Sequence, residues 1–277
     1  MVLSTFFFGT AAAFIKLASP QFSVFEIAFC RNLFGLIPAL WMSFRAGPQG
    51  FRAVNLMAHF WRGLFGVSSM LFIFYAYSLI PLPDATSLSF TSPLFITAFS
   101  ALFLHETIGR HRWIAVLVGF LAVLIIMKPG SGVVTRGGFA ALASGLFNAL
   151  AMISLRKLRN TENTEVTTLY FTLLATMVTG ILVPFHWKIP DLHGAVYLIL
   201  IGLLSGVGQY LLTKAYGLAE ASAISPFSYV MIIWTTTLGI LIWHDIPTAT
   251  MLIGTSIIIL SGLYILHRER VRALSQI

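Results

Sequence analysis

Charged and hydrogen-bonding side chains are scarce in this sequence, and most stand alone among apolar neighbours. Lys16, Glu26, Arg31, Arg62, Lys214 and Glu220 lie within or at the ends of long apolar runs. An ionised group is costly there and is kept for pairing, gating or ligand contact. Hydroxyls recur at helical spacing, with Thr86, Ser89 and Ser92 ahead of Pro93, and Ser222 and Ser225 ahead of Pro226 and Tyr229. Asn148 and Gln209 are amides in otherwise apolar stretches. None of these groups forms a nucleophile–base pair. His105-Glu106 has no second histidine at the zinc-protease spacing, and no phosphate-binding Gly-Lys loop is present. Cys30 is the single cysteine, which excludes a disulfide framework and a cysteine-based metal site. The chemistry open to these residues is therefore recognition without bond making. No catalytic residue, metal or cofactor is expected.

Each group has a structural reading beside the functional one. Glu26 can reach Lys16 across a short turn, and with Arg31 the three form either an ion-pair cluster with snorkelling stems or a substrate-gating set. Arg62 reads as an interfacial anchor or a cytoplasmic gate, and Lys214 and Glu220 as a pair flanking a turn. Serine and threonine in apolar helices either bond their own backbone and allow close packing or face a ligand. Pro93 and Pro226 each remove an amide donor and free a carbonyl one turn earlier. Lys16, Tyr75, Ser89, Phe90, Ser92, Asn148, Gln209, Ser225, Tyr229 and Trp234 are the candidate cavity-lining residues. Their aromatic share suits a planar or amphipathic organic molecule.

The elements that must position these residues follow from composition. Of 277 residues, 58% are hydrophobic and 9% charged, against about 25% charged in a soluble domain. This is the composition of an all-α polytopic membrane protein in contact with a lipid bilayer. The net charge of +8 sits in short clusters between apolar segments, without a basic face, so no nucleic-acid partner is expected. Ten segments reach the length of about 20 apolar residues needed to span: roughly 2–18, 24–44, 54–79, 84–105, 111–128, 138–157, 165–185, 194–217, 221–243 and 248–267. With the N-terminus inside, ten basic residues fall in inner loops and the tail, and three (Lys128, Arg136, Lys188) in outer loops. Both termini are thus expected in the cytoplasm.

An internal repeat is visible at an offset of 139 residues. It carries His105-Glu106 onto His244-Asp245, Glu26 onto Glu165, Gly63 onto Gly202, and Ala76-Tyr77 onto Ala215-Tyr216. Five helices per copy is an odd number, so the second copy enters the membrane from the opposite side, as in inverted-repeat transporters. The boundaries are 1–129 and 130–277. The hairpin Phe72–Glu106 matches Leu211–Asp245. Pro93 maps onto Ile232 instead of Pro226, so the two hairpins are expected to bend at different depths.

Arg62–Gly66 (RGLFG), Phe74–Ala85 (FYAYSLIPLPDA), Phe90–Phe95 (FTSPLF), Phe103–Glu106 (FLHE) and the stretch from Gly119 to Pro129 resemble the EamA family of the drug/metabolite transporter superfamily. The first-half wording is similar to the subgroup of S-adenosylmethionine and riboflavin importers. His105 and His244 stand where the family usually has glycine. The resemblance implies ten helices in two inverted repeats and a central cavity. It also implies secondary transport of a small organic metabolite by a monomer or homodimer of the bacterial inner membrane. A membrane scaffold or sensor that does not transport is the alternative.

Overall fold

Long apolar runs interrupted by proline, glycine and short polar clusters fold as helices that satisfy their own backbone. A computed structural model describes residues 1–103, 109–127, 136–158, 161–185, 187–218 and 225–274. Among these the chain is helical, without strands. The α-helices are α1 (Val2–Ala18), α2 (Val24–Arg45), α3 (Leu56–Leu79), α4 (Leu82–Ser89), α5 (Ser92–Phe103), α6 (Arg110–Met127), α7 (Arg136–Leu158), α8 (Thr164–Leu182), α9 (Leu192–Leu218), α10 (Val230–Trp243) and α11 (Ala249–Leu274). Seven of them, α2, α3, α6, α7, α8, α9 and α11, are long and apolar enough to cross a membrane.

Local chemistry sets the boundaries. The Ser23 hydroxyl accepts from the Glu26 amide while the Glu26 carboxylate accepts from the Ser23 amide, a reciprocal cap that starts α2. The Asn55 side chain caps α3. At the end of α3, Ile80 precedes Pro81 and is extended, as a pre-proline residue prefers. His244 closes α10 in the left-handed region, φ 56°. That conformation favours glycine over any residue with a Cβ.

In the bundle α3 packs on α7, α1 on α9, α2 on α8 and α9, and α6 on α11. Gly180 of α8 faces Phe29 of α2, and Gly35 further along α2 faces Thr172 of α8, so these two helices run antiparallel. Gly254 of α11 has no room for a Cβ against Ile126 of α6, whereas Ile265 clusters with Ala115 and Val116. That pair is antiparallel as well. The perimeter exposes Ile37, Phe44, Leu121, Ile181, Leu241 and Leu260, an apolar surface suited to lipid rather than water.

Two expectations are corrected here. The fourth apolar segment is not one helix: it breaks at Phe90-Thr91, between α4 and α5. The start of the ninth, 221–224, lies outside the described residues; beyond it Ser225–Tyr229 form a 3-10 turn and α10 begins at Val230. Phe90 plus the 139-residue offset is Tyr229, the last residue before α10. Pro93 lies three residues after one break and Pro226 three residues before the other. Both fall in a first turn, where no amide donor is required. Proline placement therefore does not locate the bend.

Candidate functional site

A narrow cleft lies between α2, α8 and α9. Arg31, Gly35, Ala39 and Met42 share one face of α2 at helical spacing; Thr168 and Thr172 come from α8, and Ser205, Gly206, Gln209 and Tyr210 from α9. Gly206 packs on Pro38, so the absent side chain lets α9 approach α2 and leaves the polar groups to line the gap. The Gln209 amide makes a long 3.4 Å contact to the Thr213 hydroxyl, which lies 3.3 Å from that of Thr168. No acid lines the cleft.

Arg31 is half-buried and donates to the Asn32 side-chain oxygen at 2.7 Å. Asn32 is fully buried and donates to the Ala28 carbonyl at 2.8 Å. Arg62 lies near the start of α3, one turn beyond His59. Its guanidinium lies 4.4 Å from the centre of the Phe171 ring, and its Nε is buried with no hydrogen-bond partner. Phe171 is flanked on α8 by Thr168 and Thr172.

The remaining cavity candidates fall elsewhere. Around the α4–α5 break, Asn148 of α7 donates to the Ser92 hydroxyl at 3.1 Å, and Ser89 bonds its own helix at the Thr86 carbonyl. The Ser89 carbonyl, one turn before Pro93, is covered by Gly145 of α7. Phe90 packs on Tyr229 with centroids 5.1 Å apart. Trp234 donates to the Thr10 hydroxyl at 3.0 Å and packs on Phe6. Tyr75 is exposed on α3. Of the ten candidates, Gln209 alone lines the cleft. Ser225 begins the 3-10 turn; its side chain, like Glu220 and Glu106, lies outside the described residues.

Both ends of the bundle are bridged by charge. The expected Lys16–Glu26 pair is replaced: Lys16 Nζ lies 3.1 Å from Asp245 Oδ2, 3.4 Å from the Ile80 carbonyl and 4.9 Å from the centre of the Trp243 ring. Glu26 is instead held by backbone amides of Ser23 and Lys188, which leaves Lys16 to find its carboxylate just beyond the end of α10. At the opposite end the Glu162 carboxylate accepts from the Val54 and Asn55 amides at 2.7 and 2.8 Å and lies 3.3 Å from His59 Nε2. Sequence reasoning missed this clasp, as it missed Asn32 and the threonines of α8. Threonines at 164, 168, 172, 176 and 179 form one stripe that marks the buried face of α8, a signal available in advance.

The profile described as the EamA-like transporter family matches residues 1–128 and 135–267. The pseudopaline exporter CntI of Pseudomonas aeruginosa is 31% identical over 265 residues, covering 94% of this chain and 92% of that protein. The riboflavin transporter of Vibrio cholerae is 30% identical over 192 residues, covering 69% and 64%. The S-adenosylmethionine uptake transporter of Rickettsia bellii is 28% identical over 251 residues, covering 89% and 84%. One crystal structure of another protein shares the fold, with a TM-score of 0.63 at 19% identity over 94% of this chain and 96% of that one.

Proposed function

The chain belongs to the EamA-like transporter family, and we propose that it moves a small organic metabolite across the bacterial inner membrane by alternating access. The carrying observation is the polar cleft in an apolar bundle. It extends from Arg31 toward Met42, in the half of the bundle nearer the Glu162 clasp. The other end is bridged by Lys16 and Asp245. A metabolite site reachable from one side at a time needs this combination.

Two inverted five-helix halves, 1–129 and 130–277, are part of the proposal. Adding 139 to the bounds of α2 gives 163–184, against 164–182 for α8. The same shift takes α3 to 195–218 beside α9, and α6 to 249–266 within α11. It also exchanges the α3–α7 packing with the α1–α9 packing. Antiparallel α2–α8 and α6–α11 pairs fit opposite insertion of the copies. Counting α4 and α5 as one broken crossing gives ten spans in this reading, and the basic-residue bias supports cytoplasmic termini.

The test is flux. Full-length protein reconstituted into liposomes loaded with a bacterial small-molecule extract is expected to release at least one organic solute faster than empty liposomes do. No protein-dependent release of any solute from such vesicles would leave the scaffold or sensor reading. Flux indifferent to an imposed proton gradient would mark facilitated exchange instead of proton coupling.

A further inference from the structure

We propose that the α2–α8–α9 cleft recognises an oxyanion, a carboxylate or phosphate group on the transported molecule, with Arg31 as the contacting cation and Arg62 as a second positive charge behind Phe171. The inference rests on the transport reading and adds the charge class of the substrate.

Neither arginine has a carboxylate partner among the described residues. The acids that meet a side-chain base there are Asp245, paired with Lys16, and Glu162, beside His59, each at one end of the bundle. Arg31 spends one donor on a neutral amide oxygen, and Arg62 rests on an aromatic face. The acid nearest in sequence to Arg31, Glu26, is engaged by backbone amides at the start of α2. Two like charges thus lie in two neighbouring apolar helices with no carboxylate partner among the described residues, an arrangement with a large desolvation cost. A bound anion offsets it.

The cleft presents what an anion needs. A guanidinium offers a planar fork matched to carboxylate or phosphate oxygens. Gln209 retains donor capacity, Ser205 adds a buried hydroxyl, and the exposed Lys214 lies one turn beyond Tyr210 with its ammonium 5.8 Å from that ring. With no acid in the lining, an organic cation would meet positive charge and nothing to offset it.

The test uses the full-length protein purified into phosphatidylcholine nanodiscs and incubated with a bacterial metabolite extract. Retained solutes are identified by mass spectrometry. Solutes bearing carboxylate or phosphate are expected to be enriched on the wild type, reduced at least tenfold on Arg31→Gln, and partly restored on Arg31→Lys. Gln209→Glu supplies an internal counter-charge, so it is expected to lose the same solutes while raising the melting temperature, a readout independent of whether Arg31→Gln folds. Enrichment of cations or neutral solutes only, no enrichment at all, or equal anion retention on wild type and Gln209→Glu overturns the proposal. Retention confined to phosphatidylglycerol, when that lipid is added to the discs, makes the cleft a lipid site and overturns it too. Anion retention without flux in the liposome assay would remove the transport reading and leave anion recognition standing; flux of cations alone would do the reverse.

Discussion

The rings of Phe90 and Tyr229 pack with centroids 5.1 Å apart, and the two residues stand 139 positions apart, the interval of the internal repeat. Each marks the point where its hairpin changes helix. The contact joins the α4–α5 break to the residue that precedes α10.

The pair makes a graded prediction. Phe90→Ala removes a large side chain from the junction and is expected to cost about 3–5 kcal/mol, seen as a lower unfolding temperature in detergent. Tyr229→Phe should be neutral or slightly stabilising, because the buried hydroxyl has no partner. A Cβ at Gly262 would collide with that hydroxyl, so Gly262→Ala should destabilise and Tyr229→Phe should partly rescue it. An unaffected Gly262→Ala protein would remove the packing argument.

His244 holds a left-handed backbone that costs an L-residue about 1–2 kcal/mol. His244→Gly is therefore expected to raise thermal stability by roughly that amount, less the greater chain entropy of glycine. A fall in stability would mean that the imidazole supplies a contact outweighing the backbone cost.

Lys16 and Asp245 are expected to hold their end of the bundle closed. In a Cys30→Ser, Ile80→Cys background, Asp245→Asn should speed labelling by a membrane-impermeant maleimide several-fold. The swap of Lys16→Asp with Asp245→Lys should restore slow labelling. Identical rates in all three proteins would show that the pair is not a latch.

The Glu162 clasp ties the segment before α3 to the start of α8. Glu162→Ala leaves the Val54 and Asn55 amides without their acceptor and should cost about 1–3 kcal/mol. Glu162→Gln keeps an acceptor oxygen and should cost less. Proteolysis between α2 and α3 is a direct readout, expected to quicken in the order wild type, Gln, Ala; equal rates would assign the clasp no structural weight.

Much of the fold was legible because apolar runs of spanning length leave the backbone one solution in lipid. The spans near 24–44 and 165–185 match α2 and α8 closely. The bends were not legible. Proline marked their neighbourhood, but the register was set where Phe90 and Tyr229 meet, a contact between residues far apart in the chain.

By itself the sequence determined a polytopic helical membrane protein, the resemblance to its family, the 139-residue offset and the scarcity of buried charge. These are properties of composition and periodicity, which need no knowledge of partners. The tertiary structure alone decided that Lys16 meets Asp245 instead of Glu26 and that Arg62 turns onto Phe171. It alone gathered Arg31, Gln209 and the threonines of α8 around one cleft. The reason is geometric. Helical spacing says which residues share a face, but the rotation and tilt of each helix in the bundle choose what that face meets.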